Sequence, residues 1–178
     1  MDYKFNGSGV FFTSDTHFNH TNIIRFCSRP FKDVEHMNET LIANWNRVVG
    51  PDNIVFHLGD FCLGGSAEWT KILKRLNGKI YLIAGNHDMK NLRQNYTKYF
   101  ELITMQMYIE VDKQKIYLNH ARSFAIAAHT MIPGSFSAMC IQAGITLEKI
   151  SLAFKCFFLH NMMWELTITT SLRFHSHG

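Results

Sequence analysis

Four short apolar runs in this 178-residue chain each end in residues able to bind a metal ion, and this feature constrains the fold more than any other. "GVFFTSDTH" runs into Asp15 and His17, and "NIVFHLGD" into Asp60. "GKIYLIAGNHD" runs into Asn86, His87 and Asp88, and "QKIYLNH" into Asn119 and His120. Apolar runs of this length bounded by turn residues read as buried strands. Strand ends bring residues distant in sequence onto one edge of a sheet, where open α/β folds place their ligands. A single turn His or Asp is ordinarily satisfied by loop backbone, but four such endings on consecutive strands point to one shared site.

The segments between these runs read as helices. From Asp33, a plausible N-cap, Val34, Met37, Leu41, Trp45 and Val48 recur at spacings of three and four, which predicts an amphipathic helix over 33–49 ended by Gly50-Pro51. "HTNIIRFC" predicts a short helix stopped by Pro30, and "SAEWTKILKRL" a helix capped by Ser66. "ELITMQMYIEV" reads as one strand, joined to "QKIYLNH" by a hairpin turn at "DKQ". Strands alternating with helices predict an α/β layered fold with a switch to antiparallel pairing near residue 110.

Length and a 47% hydrophobic content suit a single globular unit. The formal charge of +4 comes from scattered Lys and Arg, so nucleic acid is possible as a partner but is not indicated. The four cysteines show no CxxC pairing and "MDYKFNGSG" has no signal-peptide character, which predicts a cytoplasmic protein. The greasiest window, "ISLAFKCFFLHNMMW", is broken by Lys155 and His160 well short of the ~18 apolar residues of a membrane span, so no membrane is expected.

The DxH spacing of Asp15 and His17 puts both side chains on one side of an extended segment, since side chains alternate there with period two. A carboxylate oxygen and an imidazole nitrogen can then share an ion. Mixed carboxylate, amide and imidazole donors suit Mn, Fe, Zn or Ni better than Ca. His57 precedes a strand end and is expected to support Asp60. Cys62 is either an oxidation target beside a charged site or a plain buried small residue.

In the order DxH, GD, GNHD and H, these residues resemble the calcineurin-like metallophosphoesterases, and "SDTHFNHTNIIRF", "RPF" and "FHLGDF" are similar to small bacterial and phage members. The resemblance covers residues 9–120. It implies a four-layer α/β/β/α sandwich with mixed sheets, in which Asp15 and His17 bind a first divalent metal, Asp60 bridges two, and Asn86 and His120 bind the second. It further implies His87 beside the scissile phosphate, and hydrolysis of a phosphate mono- or diester. Asp60 and His87 would then be the catalytic pair. Asn86, His20 and Arg25 are candidates for phosphate contact, the last two equally for ordinary solvent-facing residues. A nuclease-type member and a non-catalytic metal- or phosphate-binding remnant are the alternatives.

The resemblance fails after His120. Family members carry a later GHxH loop that supplies one further ligand to each metal, and this chain has none; His175 and His177 in "FHSHG" match the spacing without the glycine or a preceding strand. Codon arithmetic locates the loop. Joining the third base of each codon from Ala121 onward to the first two of the next permits Pro-Phe-Leu-Cys-Tyr over Ala121 to Ile126, and over Ser137 to Ala143 it permits Gly-His-Val-His-Ser-Gly. Val is forced there by Met139/Cys140, Asp is forced by Met131/Ile132, and Asp-Val-Gly is forced by Met162, Met163, Trp164 and Glu165. The third frame is closed by the TGA that Met131/Ile132 spells. Residues 1–120 therefore read as the first two thirds of a metallophosphoesterase domain, incomplete at its C-terminus, and 121–178 as an out-of-frame tail of the same domain whose activity as written is in doubt.

Overall fold

A computed structural model describes residues 3–91 and 99–120. The elements run β1 (Tyr3–Phe5), β2 (Val10–Thr13), α1 (Thr21–Phe26), α2 (Val34–Val48), β3 (Ile54–His57), α3 (Ser66–Leu73), β4 (Lys79–Ile83), β5 (Leu102–Thr104), β6 (Gln106–Val111) and β7 (Gln114–Asn119). The tail from residue 121, with His175, His177, Cys140 and Cys156, lies outside the described residues.

Two sheets form. The first has the order β2-β3-β4-β5 with every pair parallel, and the second the order β1-β6-β7, with β1 parallel and β7 antiparallel to β6. This is the mixed α/β architecture the sequence predicts.

Alternation along the strands of the first sheet creates two cores. Val55, Ile80 and Leu82 point to the helices, where they meet Met37, Leu41, Trp45, Trp69 and Ile72. Phe56, Leu58 and Ile83 point the other way, against Met107, Ile109, Ile116 and Leu118 of the second sheet. The described residues thus make three layers, helices on sheet on sheet. The fourth layer expected of the sandwich lies outside them.

Local sequence accounts for most boundaries. The Asp33 side chain accepts the His36 N–H at 2.7 Å and caps α2, as its position ahead of the apolar stripe predicts. Ser66 does not cap α3: it is the first helical residue, and Glu68 reaches back to accept the N–H of Gly65 at 2.9 Å. The single strand expected over "ELITMQMYIEV" is two, β5 and β6, in different sheets. Thr104 Oγ1 accepts from the N–H of Gln106 and donates to its carbonyl, turning the chain at exposed Met105. Asp112 and Lys113, with φ of 47° and 68°, make the tight β6–β7 turn in the left-handed conformation that hairpins of this kind need. β1 escapes sequence reading because its three residues carry too little pattern.

Candidate metal centre

Parallel β2, β3 and β4 end on one edge, and the loops beyond them are joined to each other. The N–H groups of Leu58, Asp15, His17 and Phe18 donate in turn to the carbonyls of Thr13, Gly59, Asp60 and Phe61 at 2.7–3.0 Å, so pairing of β2 with β3 continues past both strands. Asp15, His17 and Asp60 have φ of 52°, 51° and 56°. Non-glycine residues in this region cost on the order of 1–3 kcal/mol each and persist where the surroundings hold them. The DxH pair is therefore brought together by two left-handed residues beyond the end of β2 at Thr13, rather than by the alternation of an extended strand.

Two glycines allow the loops to meet. At Gly59, whose φ is +92°, a Cβ would lie 2.5 Å from His120 Nδ1 and 2.7 Å from the Gly85 nitrogen; at Gly85 a Cβ would fall on Asp60 Oδ1. The glycines of "LGD" and "AGNHD" are thus required by close approach.

The side chains converge on Asp60. His17 Nε2 lies 3.7 Å from Asp60 Oδ2 and 3.8 Å from Asp15 Oδ1, and one donor atom from each of the three residues falls within 4.8 Å of the others. On the other side of the carboxylate, His120 Nε2 lies 3.6 Å from Asp60 Oδ1 and 3.3 Å from Asn86 Oδ1. His87 Nε2 stands 4.0 Å from Asp60 Oδ2, and the His87 N–H donates to Asp60 Oδ1 at 3.0 Å. Separations of 3.6–3.8 Å are too long for hydrogen bonds but suit donor atoms sharing a cation, since ligands each ~2.0–2.2 Å from an ion stand roughly 3–4 Å apart.

Tautomers and charge agree with that use. His120 Nδ1 donates to the Leu58 carbonyl at 2.7 Å, which turns Nε2 toward Asp60 and Asn86. Burial, with Arg29 and the neighbouring imidazoles adding to it, holds His17 down to about 3, so it is neutral and available as a donor. The third carboxylate, Asp88, is turned away from the cluster and accepts the backbone N–H groups of Asp60, Phe61 and Gly85 at 2.8–3.0 Å. Burial pushes its carboxyl up to about 6 against the pull of those donors.

The remaining candidates divide. His20 is at the site, its Nδ1 3.5 Å from His17 Nδ1 and its ring centroid 5.9 Å from that of His87. Arg25 instead lays its guanidinium 5.7 Å from the Phe26 ring centroid, on a side chain two-thirds exposed. His57 does not touch Asp60. It is fully buried against Trp45 and Phe61, and its Nε2 donates to Thr16 Oγ1 at 2.9 Å, while the Thr16 hydroxyl donates to the Phe61 carbonyl. Cys62 is buried and accepts from Asn19, and burial pushes its thiol up to about 12, which removes the thiolate an oxidant would attack. Sequence reading missed Thr16, Asp88 as a clasp, and Arg29, whose only signal was its place in "RPF".

Comparison with known proteins agrees with the fold. Over 81 residues the chain is 52% identical to the uncharacterized protein MJ1445 of Methanocaldococcus jannaschii, covering 44% of this chain and 46% of that one. It is 36% identical over 84 residues to the Gene 66 protein of Mycobacterium phage L5, covering 46% and 40% of the two chains. The aligned part thus spans less than half of these relatives. The crystal structure of AQ665, a protein of unknown function from Aquifex aeolicus, superposes with a TM-score of 0.54 at 33% identity over 63% of this chain and 60% of its own. The sequence profile of the calcineurin-like phosphoesterases matches residues 9–150, thirty residues past His120, and with that range the chain belongs to the calcineurin-like phosphoesterase family.

Proposed function

We propose that the cluster around Asp60 is a two-cation site for hydrolysis of phosphate mono- or diesters. Asp15, His17 and Asp60 would hold the first ion, and Asp60, Asn86 and His120 the second. The observation that carries this reading is the division of the Asp60 carboxylate, one oxygen 3.7 Å from His17 and the other 3.6 Å from His120. A carboxylate placed this way could serve both ions.

When bound, a pair of divalent cations such as Mn, Fe, Zn or Ni supplies positive charge to the phosphoryl oxygens and lowers the pKa of water. The chain's own residues do the rest. His87, 43% exposed at its side chain while Asp60 is 7%, stands on the open side of the cluster, where it protonates the departing oxygen. His20, beside His17 and His87, donates a hydrogen bond to a phosphoryl oxygen. Asp88 keeps the Asp60 and Asn86 loops at a fixed separation through three backbone bonds.

Titration of the frame-restored protein with Mn²⁺, following free ion by electron paramagnetic resonance, tests the site apart from catalysis. Two ions per chain are expected, and fewer than one in Asp60→Asn. Equal stoichiometry in both proteins would remove Asp60 from the site. Hydrolysis of p-nitrophenyl phosphate and of its bis-ester then distinguishes mono- from diester preference, and stoichiometric binding with turnover of neither would favour a non-catalytic metal-binding protein.

A further inference from the structure

The tight loop carrying the first two ligands poses a problem that local sequence does not solve. Asp15 and His17 are both left-handed, and the carbonyls of Asp15 and Thr16 between them are met by a buried side chain. Buried carbonyls need donors. Arg29 provides both: its Nη2 donates to the Asp15 carbonyl at 2.8 Å and its Nη1 to the Thr16 carbonyl at 2.9 Å. Arg29 is only 7% exposed, and its Nη1 also lies 3.5 Å from Met37 Sδ of α2. Its own backbone is tied to α1, the Arg29 N–H donating to the Ile24 carbonyl at 2.8 Å.

The bonds that fix its fork go to the backbone carbonyls of the ligand loop itself. From this geometry we infer that Arg29 is the positioning residue of the first cation site. Its two-pronged bond to consecutive carbonyls holds Asp15 and His17 in the left-handed conformations that aim both side chains at Asp60. The inference rests on the proposed metal site for its functional consequence, but its structural part does not need a metal.

Lysine cannot replace the fork. An ammonium is a point donor on a flexible stem, whereas the guanidinium presents parallel N–H groups matched to two acceptors. The amides of Asp15, His17 and Phe18, which donate to Gly59, Asp60 and Phe61, report directly whether the loop is closed.

The test uses the full 178-residue chain as wild type, Arg29→Lys and Arg29→Met, the last keeping bulk without charge should the lysine variant unfold. In metal-free protein, amide exchange at residues 15, 17 and 18 is expected to rise at least about tenfold in the variants while the β3 and β4 amides stay protected. Mn²⁺ affinity is expected to fall about 10–100-fold, the range for lost support of metal ligands. Unchanged exchange at the three amides would overturn the inference whatever the metal does, as would wild-type Mn²⁺ affinity in Arg29→Lys. A loosened loop in a chain whose wild type binds no Mn²⁺ would keep Arg29 as the loop's anchor and overturn the metal site instead.

Discussion

Asp88 and Asp60 belong to different motifs, 28 residues apart, yet the Asp88 Oδ2 accepts the backbone N–H of Asp60 at 2.8 Å and that of Gly85 at 2.9 Å, while Oδ1 accepts from Phe61. The last residue of GNHD thus acts on the loop of GD. It fixes the position of the carboxylate that both proposed cations share, without offering either of them a ligand.

Asp88→Asn keeps the shape but turns one oxygen into an NH₂ group. That group must face a backbone donor, because both oxygens are occupied as acceptors. A buried hydrogen bond to a charged group is worth about 1.5–3 kcal/mol, and a donor set against a donor costs more than the bond lost. The variant is expected to be destabilised by about 2–4 kcal/mol in urea denaturation and to bind Mn²⁺ more weakly. A midpoint within error of wild type would show that the clasp is dispensable.

His57 gives the chain an acid sensitivity. Burial holds its imidazole down to about 3 from an ordinary 6.5, so the folded protein favours the neutral form. For a depressed folded pKa, the stabilisation is complete above the unfolded value and is lost as pH falls through the window from about 6.5 to 3. Across that window His57 alone should remove on the order of 1.4 kcal/mol per pH unit. Urea midpoints measured at pH 7.5, 6 and 5 in wild type and His57→Gln check this, with a shallower pH slope expected in the variant. Parallel slopes would assign the acid sensitivity elsewhere.

The site's residue types were legible in the sequence because they sit at the ends of apolar runs, and Asp15, His17, Asp60, Asn86 and His120 do converge. The means of convergence was not legible. Three left-handed residues, two glycines with no room for a Cβ, and an arginine that donates to backbone all depend on contacts 13 to 62 residues away in the chain, which no local pattern encodes. His57 shows the converse: its place near a strand end suggested support for Asp60, but its strand side points into the helical core, so its partner is Thr16. The β5–β6 break failed for a related reason, since a side-chain bond at Thr104 interrupts an otherwise continuous β pattern.

If His87 protonates the leaving oxygen, His87→Ala should bind Mn²⁺ as wild type does and lose roughly 10²–10⁴ in rate on an alkyl phosphoester. Nitrophenolate needs little protonation, so the loss on p-nitrophenyl phosphate should be much smaller. Equal losses on both substrates would leave His87 a role in placing the phosphate only.

The strongest expectation concerns residues 121–178. If they are read out of frame, they were not selected as this amino-acid sequence, and their apolar stretches have no designed partner. The proposed second ion then has Asp60, Asn86 and His120 but not the histidine that a GHxH loop supplies, and the first ion likewise lacks one imidazole. A sheet deprived of later strands also exposes edges, which favours aggregation. The 178-residue chain is therefore expected to be poorly soluble, with little phosphoesterase activity in added Mn²⁺. Resequencing the gene around codon 121 and expressing the frame-restored protein should recover solubility and activity together, because both depend on the same Gly-His-Val-His segment. A soluble unrepaired chain with full activity would refute the frame reading and turn the search for the missing ligands to His129, His160, His175 and His177.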